Sequence, residues 1–132
     1  MVTVTRRILI ADDCQPVREG IRNLIKDHEG WEICGEAIDG PDAVRKACQL
    51  VPDVIVLDFF MPVLNGIEVA REIAATCPTA SVVLCSMYLD SQLANLARSA
   101  GIQGILSKSN VGQMVECIEA VLRGESYFAS QI

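Results

Sequence analysis

Asp53-Val54-Ile55-Val56-Leu57, running straight into Asp58, is the stretch on which the fold turns. A short run that is apolar throughout and ends on a carboxylate is the pattern of a strand buried on both faces. Such strands occur in parallel sheets covered by helices on each side. The signature recurs along the chain. Residues 7–11, with Ile8-Leu9-Ile10-Ala11, run into Asp12-Asp13. Residues 81–85, with Val82-Val83-Leu84-Cys85, run into Ser86, and residues 103–107, with Gly104-Ile105-Leu106, lead to Ser107-Lys108. Trp31 to Ala37 reads as a further strand.

Segments of helical period separate these runs. Val17, Ile21, Leu24 and Ile25 follow Pro16 at i, i+4, i+7 and i+8, an amphipathic helix. Asp39-Gly40-Pro41-Asp42 reads as a turn and helix start, and Ala43, Val44, Ala47, Cys48 and Val51 give that helix an inner face before Pro52 stops it. Ile67, Ala70, Ile73 and Ala74 mark a third helix, and Leu93, Leu96, Ala97 and Ala100 a fourth, closed by Gly101. Val111, Val115, Ile118 and Leu122 line a fifth, which Gly124 ends. Strand and helix thus alternate throughout, which predicts one doubly wound α/β domain with a parallel sheet and helices on both faces. Right-handed crossovers and short connections leave few topologies, and the order 2-1-3-4-5 is the expected one. Residues 1–132 form the single domain, with its core over about 7–124.

Composition removes several function classes. The chain has 132 residues, 51% hydrophobic and 21% charged, which suits one globular core. Its formal net charge of -6, without any cluster of Lys and Arg, does not suit direct binding to nucleic acid. No apolar stretch approaches the roughly 18–20 residues that span a bilayer. Met1 to Arg7 lacks the order of a signal peptide, so a cytoplasmic location is expected. Six cysteines are present with no C-x-x-C pair, and His28 is the only histidine. Neither a zinc site nor a disulfide framework is implied. Cys34 and Cys85, inside strand-like runs, are expected in the core, whereas Cys14 follows the Asp pair and is expected near the pocket.

Ligands of open parallel sheets bind beyond the carboxyl ends of the strands, where the winding reverses. In the order above, that point lies between the strands ending at Asp12-Asp13 and Asp58. Carboxylates gathered there repel one another unless a cation or a shared proton intervenes. A hard divalent cation such as Mg²⁺ takes one or two carboxylates, water and a phosphate oxygen. Asp58 either completes that metal site or attacks phosphorus as a nucleophile. Lys108 offers an ammonium and Ser86 a hydroxyl to the equatorial oxygens of a phosphoryl group. Each of these residues alone is an ordinary turn former, helix cap or surface lysine. Their coincidence at one sheet edge is what points to phosphoryl chemistry.

At this point the chain resembles a bacterial two-component response-regulator receiver domain. The resemblance covers Arg7 to about Phe128. It rests on Ile8-Leu9-Ile10-Ala11-Asp12-Asp13, on Val56-Leu57-Asp58-Phe59-Phe60-Met61-Pro62 with Asn65-Gly66, on Leu84-Cys85-Ser86 and on Lys108. It implies a flavodoxin-like (βα)5 three-layer sandwich. It implies Asp58 as phosphoacceptor, and Mg²⁺ held by Asp12, Asp13, Asp58 and the backbone carbonyl of Phe60. Ser86 becomes the switch hydroxyl and Lys108 the partner of the phosphoryl oxygens. The implied donor is a phosphohistidine on a sensor histidine kinase. His28, near the end of the first helix, is not that donor. Such a domain is not an enzyme beyond its own phosphoryl transfer and dephosphorylation.

The tail from Met114 to Phe128, with Ser86-Met87-Tyr88, is similar to the NarL/FixJ branch. That implies transcriptional regulation, with DNA bound only through an output domain absent from this chain. Met114, Cys117 and Val121 form a second apolar set beside the core stripe of the fifth helix; such a set is more often extra core contact than interface, and if exposed it would offer a homodimer surface. No membrane partner is implied. Three positions depart from the family pattern. Ile105 stands where a switch Tyr or Phe is common, so coupling must use other packing changes. Ser109 stands where many receivers have Pro, so the loop is expected to be trans and looser. Met87 beside Ser86, with Phe60 two residues past Asp58, is expected to slow entry of phosphoryl donor or water. These departures keep open an alternative, a receiver-shaped interaction module that works without phosphorylation.

Overall fold

The computed structural model describes residues 4–128. Strands and helices alternate as β1 (Arg6–Ala11), α1 (Gln15–Ile25), β2 (Trp31–Ala37), α2 (Gly40–Leu50), β3 (Val54–Asp58), α3 (Gly66–Thr76), β4 (Ser81–Ser86), α4 (Ser91–Ser99) and β5 (Gly104–Ser107). A 3-10 turn (Lys108–Gln113) then leads into α5 (Met114–Leu122) and a short β6 (Tyr127–Phe128). The sheet is parallel in the order β2-β1-β3-β4-β5-β6, the expected order with one strand added beyond β5. Tyr127-Phe128 is too short to show a strand period, which is why it escapes a reading of the sequence.

All of β3 is buried, as its uninterrupted apolar run requires. Side chains alternate between the faces and feed two cores. Leu9, Ile55, Leu57 and Leu84 join the core beneath α2, α3 and α4. Ile8, Ile10, Val54, Val56 and Val83 join the core beneath α1 and α5. Each large aliphatic side chain buried in this way contributes roughly 1.5–3 kcal/mol.

Local signals set the helix starts. Asp39 accepts the Asp42 N–H at 2.8 Å and caps α2, and Asp90 accepts the Leu93 N–H at 2.8 Å and caps α4. Asn65 and Glu68 form a reciprocal capping box on α3. Two expectations need correction. The β1–β2 register slips between Ile8 and Leu9, which makes Cys34 the odd residue of a bulge, half-buried rather than in the core. On α5 the buried face is Met114, Cys117, Ile118, Ala120 and Val121, whereas Val115 and Leu122 are only partly buried, and Val111, also partly buried, lies in the 3-10 turn ahead of the helix. The 3-10 turn delays the helix and rotates its core face. The apolar set that would have served as a homodimer surface is therefore inside the domain.

Candidate phosphoryl and metal site

The sheet register lines up the chemistry. Ala11 pairs with Leu57, Asp58 with Cys85, and Ser86 with Ser107. Asp12, Asp58, Ser86 and Lys108 thus leave neighbouring strands along one carboxyl edge. Winding reverses there between β1 and β3.

Asp12 is held from every side. Its N–H donates to the Ala37 carbonyl at 3.0 Å, and its Oδ1 accepts the Cys14 N–H at 2.9 Å. Arg18 Nη1 donates to the Asp12 carbonyl at 2.7 Å, while Glu36 fixes the same guanidinium through Nε at 2.9 Å. Cys14, expected near the pocket, is the residue before α1, and it touches the site through its backbone. Asp58 is held by packing. An added Cβ at Gly66 would lie 2.6 Å from Leu84 Cδ1 and 2.9 Å from both the Asp58 carbonyl oxygen and Phe59 Cα. Only glycine lets α3 start this close behind Asp58. The Gly66 N–H closes the loop on the Phe59 carbonyl at 2.8 Å.

Lys108 joins the two buried carboxylates. Its Nζ lies 3.0 Å from Asp12 Oδ2 and 3.1 Å from Asp58 Oδ1. Asp13 stays exposed, yet it brings a carboxylate oxygen within 4.8 Å of those of Asp12 and Asp58. Three carboxylates thus face a single ammonium. Burial, then the Asp12 charge, pushes the Asp58 carboxyl above its usual range, and Lys108 pulls it back only in part. Burial works to strip Lys108 of its proton, but its bonds to Asp12 and Asp58 override this and hold the proton more firmly than usual. The uncompensated negative charge and all-oxygen donor set fit a hard divalent cation.

Ser86 is fully buried at the same edge. Its hydroxyl is turned onto the loop before α4, donating to the Tyr88 carbonyl at 2.8 Å and accepting the Tyr88 N–H at 3.2 Å. The Phe60 N–H reaches toward Asp58 Oδ1 at 3.4 Å, and the Phe60 and Met87 side chains stand exposed. The Lys108–Ser109 bond is trans, no cis peptide occurring among the described residues. Ser107 Oγ accepts the Ser109 N–H at 3.2 Å and meets Ser109 Oγ at 2.7 Å. His28 stacks on Trp31, its Nε2 3.2 Å from Glu119, remote from this edge in the fold. The sequence reading gave Arg18 no role and took Gly66 only as part of the family motif, not as a support. Arg18 carries no signal of its own, whereas Gly66 follows a cap residue, Asn65, at a helix start.

A doubly wound parallel sheet with an acidic cluster and one lysine at its reversal point defines a class of α/β signalling domain. The chain belongs to the response regulator receiver domain family, whose model matches residues 8–119. It is 34% identical over 126 residues to the response regulator UvrY of Escherichia coli, covering 95% of this chain and 58% of UvrY. It is 32% identical over 127 residues to GacA of Pseudomonas viridiflava, covering 96% of this chain and 59% of GacA. A crystal structure of a LuxR-family two-component response regulator from Aurantimonas superposes with a TM-score of 0.92 at 35% identity, over 97% of this chain and 92% of that one. These relatives agree with the NarL/FixJ-like reading of the tail. The chain spans under two thirds of the length of UvrY and GacA. Among the described residues, no helix is long and apolar enough to cross a membrane.

Proposed function

We propose that Asp58 accepts a phosphoryl group from a phosphohistidine on a sensor histidine kinase. The carrying observation is the Lys108 ammonium bridging Asp12 and Asp58 at 3.0 and 3.1 Å inside a site with excess negative charge. A carboxylate oxygen of Asp58 attacks phosphorus in line, and the bond to the donor imidazole breaks. The imidazole leaves as the neutral base once protonated. Lys108, already between the two carboxylates, follows the growing charge on the equatorial oxygens. Asp12, Asp13 and Asp58, with the Phe60 carbonyl, would hold Mg²⁺. When bound, Mg²⁺ supplies charge neutralisation that one lysine does not. Ser86 then exchanges its bond to the Tyr88 carbonyl for one to a phosphoryl oxygen, and the loop before α4 moves. Output to DNA runs through a separate output domain, and the receiver works in the cytoplasm with its kinase.

The metal half of this reading is tested by Mg²⁺ titration followed by amide NMR. Saturable shifts are expected at Asp12, Asp13, Phe59 and Phe60, and they disappear in Asp13→Ala. A linear, non-saturating response at those amides would leave Mg²⁺ without a site.

A further inference from the structure

The strand that the sequence hid, β6, holds both helical layers that flank β5. Gly104 pairs with Tyr127 and Ile105 with Phe128, and the Tyr127 N–H donates to the Gln103 carbonyl at 2.9 Å. Successive strand side chains leave by opposite faces. Phe128 packs on the core that contains Leu93, Ala97 and Ile105, and the Arg98 guanidinium lies 4.2 Å from its ring centroid. Tyr127 packs on the other core, its hydroxyl 3.3 Å from Gln113 Oε1 and 3.4 Å from Glu116 Oε2. A strand of two residues is thereby attached to α4 on one face and to the α5 side on the other.

α4 is lightly anchored, since only Leu93, Ala94 and Ala97 are buried along it. Its first turn is tied to the site. Ser86 holds both backbone polar groups of Tyr88, and Asp90, two residues on, caps the helix. Its last turn is tied to β6 through Arg98. Ile105, between them, is fully buried and β-branched, so it has no ring to swing and little freedom at χ1. A displacement of α4 is therefore passed one strand further out, to Phe128.

We infer that β6 is a latch on α4, docked while Ser86 bonds to Tyr88 and released when a phosphoryl group on Asp58 draws that hydroxyl away. The latch rests on the phosphoacceptor reading above. It places the aromatic part of the switch on Phe128 rather than on β5. Coupling of this kind is reciprocal: a site that releases β6 must itself bind more tightly once β6 is free.

Amide hydrogen exchange on the whole chain tests this, with Mg²⁺ alone and with Mg²⁺ plus beryllofluoride as phosphoryl mimic. Exchange is expected to slow at 58–60 and to speed up at 127–128 by about tenfold, a local opening rather than unfolding. In Arg98→Ala, β6 exchanges fast in both conditions, slowing at 58–60 persists, and beryllofluoride binds about threefold tighter by linkage. Arg98→Lys keeps a cation over the ring and keeps the β6 response. Slowing at 58–60 with β6 unchanged, or an Arg98→Ala affinity equal to wild type, overturns the latch and leaves the phosphoacceptor reading standing. No slowing anywhere overturns both.

Discussion

Asp58 occupies a costly position, buried beside Asp12 and relieved by one shared lysine. Its carboxyl is raised above the ordinary 3.8 by burial and then by the Asp12 charge. An acid whose folded pKa is raised is better accommodated protonated. Its cost is absent below the unfolded value and sets in as pH rises through the folded one. Asp58→Asn should therefore be more stable than wild type at neutral pH by about 1 kcal/mol. The gain should fade on acidification below the usual carboxylate range. Urea unfolding at both pH values reads this, and equal stabilities at neutral pH would count against it. Lys108→Met should lose roughly 2–3 kcal/mol, because it leaves Asp12 and Asp58 facing each other unpaired. Thermal melts should then show a larger rescue by Mg²⁺ than in wild type; a rescue no larger would argue against a shared site. That Asp12, Asp13, Asp58, Ser86 and Lys108 come to one sheet edge was legible in the sequence because each lies at the end of an apolar run. The Ser86 bonds to Tyr88 and the reach of Arg18 to the Asp12 carbonyl were not. Sequence gives a residue's place on a strand, not which way a hydroxyl or guanidinium turns.

At the scale of elements, the β3–α3 connection does the positioning. Gly66→Ala drives a methyl against Leu84 and the Asp58 backbone. It should cost roughly 1–3 kcal/mol by overpacking and weaken Mg²⁺ binding as well, measurable by calorimetry; an unchanged Mg²⁺ affinity would detach Gly66 from the site. Val63 has φ of 74°, and Leu64 N–H donates to the Pro62 carbonyl across it at 2.9 Å. This is a tight γ-turn that a β-branched residue adopts under strain. Val63→Gly should stabilise the fold by about 0.5–1 kcal/mol, the relief of strain exceeding the added chain entropy; a lower denaturation midpoint would refute it. β1, β3, β4 and β5 were legible because buried parallel strands are apolar throughout; β2, an edge strand that carries Glu32 and Glu36, and the strand order were legible from the alternation of the chain. β2 runs from Trp31 to Ala37 as read. What was not legible depended on tertiary context. The bulge at Cys34 arises from pairing with β1, and the rotated face of α5 follows from the 3-10 turn ahead of it. β6 exists only because β5 offers it an edge.

At the scale of the whole molecule, the net charge of -6 is gathered in part at Asp12, Asp13 and Asp58, which could hold a metal ion. Mg²⁺ at ten times its dissociation constant should raise the stability of the folded chain by about 1.4 kcal/mol, since the unfolded chain holds no such site. Membership of the receiver family and the geometry around Asp58 meet in one chemical event. Incubation with acetyl phosphate and Mg²⁺, followed by intact mass spectrometry, detects it. The wild-type chain is predicted to gain the mass of a single phosphoryl group and Asp58→Ala none; no gain in the wild type, or an equal gain in Asp58→Ala, contradicts Asp58 as the phosphoacceptor.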